Sequence, residues 1–246
     1  MKPDQYALYA RQEFLTPGES ETLDVVGRVC RLAPGARVLE VASGKGEAAC
    51  LLSVRHGWRV FGADRYAPFV EHAARKVRDR QLGERVSFAL ADGRRLPVSD
   101  GCFDAIFCFG GPSIVGMEPF LEEAARVLTP GSWLAISDWV WRKRPVPPEA
   151  LPLRVKEDNF PVLDEFAAMV RSAGFEVLLA QALPSSAWEE YYGPMLETLA
   201  ELRREHPDDP EVEEYVRKSW ENEPRTFYER GGREYWGYAV LIARKL

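Results

Sequence analysis

Short apolar runs alternate with helix-spaced apolar positions along most of the chain. The helix-spaced stretches carry apolar residues every three or four positions, and several of them end at Gly or Pro. The runs predict strands at residues 37–42, 59–63, 86–90, 103–109, 133–137, 175–180 and 235–243. Strands that alternate with helices at these lengths are typical of the α/β class. We therefore predict a doubly wound, mostly parallel seven-stranded sheet with helices on both faces.

The alternation is interrupted twice. Five prolines between residues 142 and 161 exclude a regular helix or a central strand there. Two helices, 188–205 and 210–222, then follow one another without an intervening strand. These breaks predict an N-terminal helical cap (1–34), an α/β core (35–184) with a lid-like loop (142–161), a helical insertion over the active site (185–232) and the last strand of the core sheet (233–246).

Composition and charge exclude several classes of protein. The 246 residues have a formal net charge of −6, which argues against a general binder of nucleic acid or of anionic membranes. No apolar run approaches the ~18 residues of a membrane span, and no signal peptide is recognisable. The four cysteines and three histidines have no metal-ligand spacing. We expect a cytoplasmic protein with reduced thiols, no metal, no nucleic-acid partner and no membrane partner, as a monomer or homodimer.

The stretch from Arg37 to Glu47, RVLEVASGKGE, is the first that indicates a ligand. A predicted strand ends there in a turn with Gly44 and Gly46, and a helical pattern begins immediately after the turn. Glycines allow the backbone to approach a ligand that a Cβ would block. The helix N-terminus presents unpaired N–H groups at the same place. This arrangement predicts a nucleotide-cofactor site.

Acidic residues stand at the ends of the first three predicted strands. They are Glu40, Asp64 and Asp92. Ligands of open parallel sheets bind outside the carboxyl ends of the strands. Asp64 follows Gly46 by 18 positions, which matches an acid that accepts hydrogen bonds from the ribose hydroxyls of an adenosine cofactor.

The residues alone leave the identity of the cofactor open. The sequence from Gly44 to Ala49 matches the G-x-G-x-x-A pattern of dinucleotide sites, so an NAD-dependent oxidoreductase is one interpretation. Glu40 would repel a pyrophosphate and attract an ammonium, and Asp92 could accept a hydrogen bond from an adenine amino group. These acids favour a cofactor that combines an ammonium, a sulfonium and an adenosine. A third interpretation is a protein that binds this cofactor without catalysis.

The motifs resemble those of the class I S-adenosylmethionine-dependent methyltransferases. The first motif of that family falls on Glu40, Ala42, Gly44 and Gly46, and the acid of its second strand falls on Asp64. Its third motif falls on Asp92-Gly93, and the resemblance extends over about residues 35–183. It implies a sheet with an antiparallel last strand and methyl transfer from S-adenosylmethionine by in-line displacement. The chain also resembles a bacterial group of small-molecule methyltransferases whose substrates are largely unassigned.

The resemblance implies a set of cofactor-binding residues. They are Glu40, Ala42, Ser43, Gly44, Gly46, Asp64, Arg65, Asp92, Gly93, Phe109 and Gly110. Ala42 replaces the first glycine of the motif. We expect an alanine there to be tolerated if its φ is negative and to be strained otherwise.

The acceptor is expected beyond the ends of the fourth and fifth strands. Asp138 is the candidate catalytic residue, because it could accept a proton or hold an amine. Gly111, Trp188, Tyr191 and Tyr192 are the candidate substrate-binding residues. Their aromatic faces would favour a cation, and Glu189 and Glu190 would reinforce that preference. The predicted partner is a small-molecule methyl acceptor.

Overall fold

One twisted sheet organises the molecule. A computed structural model of the chain describes residues 8, 9 and 11–246. In that part of the chain seven strands form a sheet of order β3-β2-β1-β4-β5-β7-β6, which confirms the predicted fold class. Strands β1 to β5 pair in parallel with one another, and β7 is antiparallel to both β5 and β6. The strands are β1 (Arg37–Val41), β2 (Arg59–Asp64), β3 (Val86–Leu90), β4 (Phe103–Phe109), β5 (Leu128–Trp141), β6 (Phe175–Ala182) and β7 (Trp236–Lys245).

Helices connect the strands and form a separate group before the last strand. In the described residues they are α1 (Glu19–Cys30), α2 (Glu47–His56), α3 (Ala67–Asp79), α4 (Pro112–Val115), α5 (Met117–Val127), α6 (Leu163–Ser172), α7 (Ser186–Glu205), α8 (Pro210–Asn222), α9 (Pro224–Glu229) and α10 (Gly232–Tyr235). The segment 142–161 contains two short 3-10 turns, Pro148–Ala150 and Glu157–Asn159. Residues 1–7 and 10 of the predicted N-terminal cap lie outside the described residues.

The sheet has a hydrophobic core on each face. Successive side chains of a strand point to opposite faces. Val38 and Phe107 accordingly belong to one buried cluster, while their chain neighbours Leu39 and Ile106 belong to the other. Because both faces are covered by helices, the central strands are apolar without alternation, as their sequences predicted.

The fifth strand is longer than predicted. It reaches Trp141, so Asp138 lies within the strand and not at its exit. The reason is the antiparallel partner: β7 pairs with β5 from Trp133 to Trp141. Pairing between segments about a hundred residues apart is not encoded in the local pattern of β5.

No helix among the described residues is long and apolar enough to cross a membrane.

Candidate active site

A cavity of about 210 Å³ opens at the carboxyl ends of β1, β2 and β4. Its position is the one expected for the ligand of an open parallel sheet. Eight of the predicted cofactor residues line it: Ala42, Gly44, Asp64, Arg65, Asp92, Gly93, Phe109 and Gly110. We call this space the cofactor cavity. Among the other predicted residues, Glu40, Ser43, Gly46 and Gly111 do not line it.

The turn after β1 approaches its neighbours closely. Gly44 has a φ of 51° and Gly46 a φ of 75°, in the left-handed region that favours glycine. A Cβ on Gly46 would lie 2.5 Å from Cζ of Phe88. Ala42 has a φ of 55°, so the alanine adopts the conformation that we expected to be strained.

Asp64 connects this turn to the end of β2. Its Oδ2 accepts a hydrogen bond from the backbone N–H of Gly44, and its Oδ1 accepts one from Tyr66, both at 2.8 Å. Each carboxylate oxygen has a second lone pair. Asp64 can therefore hold the turn and still accept hydrogen bonds from a ligand.

Asp92 is paired with an arginine that sequence reasoning missed. Arg94 Nε donates to Asp92 Oδ1 at 3.0 Å, and Arg94 Nη2 donates to Oδ2 at 2.5 Å. These hydrogen bonds lower the pKa of Asp92 to about 2. Arg94 also lines the cofactor cavity. The position of Arg94, two residues after an acid at the end of a strand, is the feature of the sequence that could have predicted this pair.

Glu40 is buried beneath the cavity. Burial raises the pKa of Glu40 well above its ordinary value, and the nearby charges of Glu19 and Asp64 raise it further. Its Oε2 has no hydrogen-bond partner among the described residues. A buried acceptor of this kind suits the positive end of a ligand.

Residues before α1 complete the cavity wall. Tyr9, Leu15 and Thr16 line the cofactor cavity, although sequence reasoning assigned them no role. Lys45, between the two glycines of the turn, is buried, and its Nζ donates to the carbonyl oxygens of Tyr9 at 3.1 Å and Gln12 at 2.6 Å. Through these two hydrogen bonds the turn holds Tyr9 and residues 11–16 over the site.

Comparison with known proteins identifies the family. Residues 38–131 match the family model described as "Methyltransferase domain". The chain is 26% identical to a structure described as a SAM-dependent methyltransferase from Geobacter sulfurreducens in complex with S-adenosyl-L-homocysteine, with a TM-score of 0.83 and coverage of 98% of this chain and 97% of that one. The chain belongs to the class I S-adenosylmethionine-dependent methyltransferases. S-Adenosylmethionine is its cofactor, and the comparisons do not favour the NAD-dependent or non-catalytic alternatives.

Two curated relatives extend the comparison. The methyltransferase is 28% identical over 232 residues to the uncharacterized protein YjhP of Escherichia coli K12, covering 93% of each chain. It is 31% identical over 169 residues to 27-O-demethylrifamycin SV methyltransferase of Amycolatopsis mediterranei, covering 64% of this chain and 61% of that protein.

Asp138 of the methyltransferase is buried away from the cofactor cavity. Its carboxylate accepts hydrogen bonds from the backbone N–H of Ser113 at 2.6 Å, the Ser113 hydroxyl at 3.0 Å and the backbone N–H of Trp139 at 2.7 Å. Burial raises the pKa of Asp138 to about 6. These contacts hold the first turn of α4 against β5.

Two of the predicted acceptor-binding aromatic residues are part of the core. Trp188 and Tyr192 are 2% and 0% exposed. The Trp188 ring lies 4.7 Å from that of Trp139 and 5.6 Å from that of Trp236. Neither Trp188 nor Tyr192 lines the cofactor cavity, because these large rings pack α7 onto β5 and β7.

Tyr191 lines a second cavity, of about 310 Å³, between residues 11–20 and α7. Its lining residues include Gln12, Thr16, Glu19, Glu190 and Tyr191. Thr16 lines both cavities. We call this second space the α7 cavity.

Proposed function

We propose that this methyltransferase binds S-adenosylmethionine in the cofactor cavity and transfers its methyl group to a small-molecule acceptor. The observation that supports the proposal best is the lining of that one cavity. Asp64 and Asp92, from β2 and the end of β3, line it together with the glycine turn of β1 and Gly110 beyond β4. One cavity thus contains acids that could bind an adenosine and a glycine turn whose backbone could approach an amino-acid tail closely.

The acids assign a direction to the cofactor. Asp64 would accept hydrogen bonds from the ribose hydroxyls through the lone pairs that Gly44 and Tyr66 leave open. Asp92 would accept a hydrogen bond from the adenine amino group beside its pair with Arg94. The amino-acid tail would then lie towards Ala42 and Gly110, with Glu40 beneath it as a buried acceptor for an ammonium.

The bound sulfonium supplies an activated methyl group, so the protein mainly has to orient the acceptor and exclude water. Tyr9, Leu15 and Thr16 cover the cavity and are suited to excluding water. The hydrogen bonds from Lys45 hold this cover in place. Asp138, with its three hydrogen bonds to Ser113 and Trp139, is better suited to supporting the loop after β4 than to accepting a proton.

A small acceptor agrees with the limited space above the site. Residues 11–20 and α7 enclose the α7 cavity, and the name of the Amycolatopsis relative identifies a small-molecule acceptor for that protein. In this proposal the residues 185–232 act as the insertion over the active site. The cytoplasmic location, the absence of a nucleic-acid partner and the monomeric or dimeric state stay predictions from the sequence.

Calorimetric titration with S-adenosylhomocysteine tests the assigned cavity. We expect the wild-type protein to bind it and Asp64→Asn to bind at least ~tenfold more weakly, because a charge-assisted hydrogen bond to the ribose is lost. Asp79→Asn, at the exposed end of α3, is the control that removes the same charge outside the cavity. Unchanged binding by Asp64→Asn would contradict the assignment, and a titration with NAD that gives tight binding would contradict the cofactor.

A further inference from the structure

Thr16 lines both the α7 cavity and the cofactor cavity. Gly110, which lines the cofactor cavity, lies directly against Thr16: a Cβ on Gly110 would lie 2.1 Å from Cγ2 of Thr16 and 2.7 Å from the hydroxyl oxygen of Tyr238. The α7 cavity therefore adjoins the end of the cofactor cavity that the proposed direction gives to the amino-acid tail. This is the end where a methyl acceptor has to arrive.

A buried amide in the α7 cavity lacks a partner. Gln12 is 3% exposed and lines the cavity. Its Nε2 donates to the carbonyl oxygen of Tyr191 at 2.9 Å, which fixes the orientation of the amide. Its Oε1 then has no hydrogen-bond partner among the described residues. A buried acceptor without a donor is costly unless a ligand supplies that donor.

The charges that face the α7 cavity are mainly negative. Glu19 and Glu190 line it. Arg11 and Glu13 also line it, and both have partners of their own: Arg11 pairs with Glu201, and Glu13 accepts a hydrogen bond from Lys76 at 2.6 Å. The cavity thus offers carboxylates, a carbonyl oxygen and an aromatic ring, and all of these attract a cation that donates hydrogen bonds.

We propose that the α7 cavity is the acceptor site and that the acceptor is a primary or secondary amine, whose N–H groups donate to Oε1 of Gln12 and to the carboxylate of Glu19. This inference rests on the proposed function and specifies its substrate class. It also gives Tyr191 and Glu190 the part in binding a cationic acceptor that the sequence predicted, whereas Trp188 and Tyr192 support the cavity from the core.

Glu19 is also the group that takes up a proton. The amine enters as an ammonium, transfers one proton to the Glu19 carboxylate and becomes a nucleophile. Its nitrogen lone pair then forms the N–C bond to the methyl group, while the C–S bond breaks and leaves its electron pair on sulfur. The products are the methylated ammonium, the thioether and protonated Glu19.

The surroundings of Glu19 suit this role. Its Oε2 accepts hydrogen bonds from the Thr16 hydroxyl at 3.0 Å and the Leu15 backbone N–H at 3.1 Å. Burial raises the pKa of Glu19 to about 7, and the charge of Glu47 acts in the same direction. Glu40 and the hydroxyl of Tyr238 are the other titratable groups that interact with it. A base whose pKa is near neutrality can both accept the proton and release it.

Binding of simple amines to the S-adenosylhomocysteine complex tests the site. The probes are 2-phenylethylamine and the linear primary amines from ethylamine to hexylamine, each compared by calorimetry with its matched alcohol. We expect at least one amine to bind ~tenfold more tightly than its alcohol, since only the amine is charged. If no amine binds more tightly than its alcohol while S-adenosylhomocysteine still binds, the amine site is overturned and the proposed cofactor function stands.

Substitutions separate the acceptor site from a structural role. Glu19→Gln keeps the shape and an oxygen acceptor for Thr16, and we expect it to remove the preference for the amine while S-adenosylhomocysteine binding is kept. Gln12→Met should weaken the binding of the same amine. Glu197→Gln, on the exposed side of α7, is the matched control that should leave this binding unchanged. An amine preference retained in Glu19→Gln would overturn the assignment.

The pH dependence and the product complete the test. The affinity of the wild-type complex for the amine should rise as the pH increases from 6 to 8 through the pKa of Glu19, about 7, and this rise should be absent in Glu19→Gln. With S-adenosylmethionine present, the amine that binds should give an N-methylated product by mass spectrometry. Binding without any N-methylated product would overturn the role of the α7 cavity as the acceptor site.

Discussion

At the scale of single residues, Ala42 is the position where sequence and conformation disagree. Its φ of 55° places an alanine in the left-handed region, at a cost of about 1–2 kcal/mol. We expect Ala42→Gly to raise the free energy of unfolding by roughly 0.5–1 kcal/mol, because the relief of strain exceeds the added entropy of the unfolded glycine. Urea denaturation measures this difference.

A second alanine gives the control for Ala42. Ala48 lies within α2, where a glycine is unfavourable by about 1 kcal/mol. Ala48→Gly should therefore destabilise the protein while Ala42→Gly stabilises it. If both substitutions lowered the free energy of unfolding, the left-handed conformation of Ala42 would not be a source of strain.

The residues of the cofactor cavity were predictable where local pattern determines them. A strand that ends in glycines, and acids that follow strands, place Gly44, Asp64 and Asp92 at one edge of the sheet without knowledge of distant contacts. The contributions of Leu15 and Thr16 were not predictable in this way. They reach the cavity because the chain before α1 folds back over the turn, and that contact is between segments distant in sequence.

At the scale of elements, Lys45 connects the glycine turn to the cover of the cavity. We expect Lys45→Met to weaken the binding of S-adenosylhomocysteine by about tenfold or more, because the carbonyl oxygens of Tyr9 and Gln12 lose their donor and the cover loosens. Calorimetry measures the affinity, and hydrogen exchange of residues 11–16 should increase in the same variant. Lys143→Met, an exposed lysine paired with Glu234, is the control. Equal affinity in the two variants would contradict the connection.

The helix α7 is attached to the sheet through aromatic residues. The Trp188 ring lies within about 6 Å of four rings besides that of Trp139, namely those of Tyr192, Phe227, Trp236 and Tyr238. We expect Trp188→Ala to lower the free energy of unfolding by about 3–5 kcal/mol, the usual cost of such a cavity. Trp220→Ala, at a partly exposed ring that stacks on Tyr228, should cost less.

This comparison also decides between two roles for Trp188. If Trp188 lined the acceptor site, its substitution would change the affinity for the acceptor with little effect on stability. Thermal denaturation that shows Trp188→Ala to be no less stable than Trp220→Ala would favour this binding role over a role in the core. The pattern of the sequence could not separate the two roles, because an aromatic residue on a helix suits a core and a binding site equally well.

At the scale of the whole molecule, strand alternation predicted a mostly parallel α/β sheet, and the family resemblance implied its antiparallel last strand. The carboxyl end of β5 and the packing of α7 depend on that last strand, β7. The last strand inserts between β5 and β6 and lengthens β5 beyond the prediction. It also brings Trp236 and Tyr238 under α7. The local sequence of β5 therefore could not show that Asp138 would be enclosed within the strand.

Stability of the whole fold should depend on pH through its buried acids. The pKa of Glu19 is about 7 in the folded protein against 4.5 for an ordinary glutamate, mainly because of burial. A raised pKa means that the folded state binds the proton more tightly than the unfolded state. The stabilisation that protonated Glu19 contributes to the folded state is therefore complete below pH 4.5 and is lost as the pH rises through 7.

The neutral amide of Glu19→Gln does not titrate, so the difference between the two proteins isolates this effect. Below pH 4.5 the two should have similar free energies of unfolding, since both then carry a neutral side chain. Between pH 4.5 and 7 the free energy of unfolding of the variant should rise above that of the wild type by up to roughly 3 kcal/mol. Above that range the difference between the two proteins should stay constant. Urea denaturation at intervals of pH measures the two curves. Parallel curves through this range would show that Glu19 is ionised without cost in the folded protein, and the enclosed setting of its carboxylate would then be wrong.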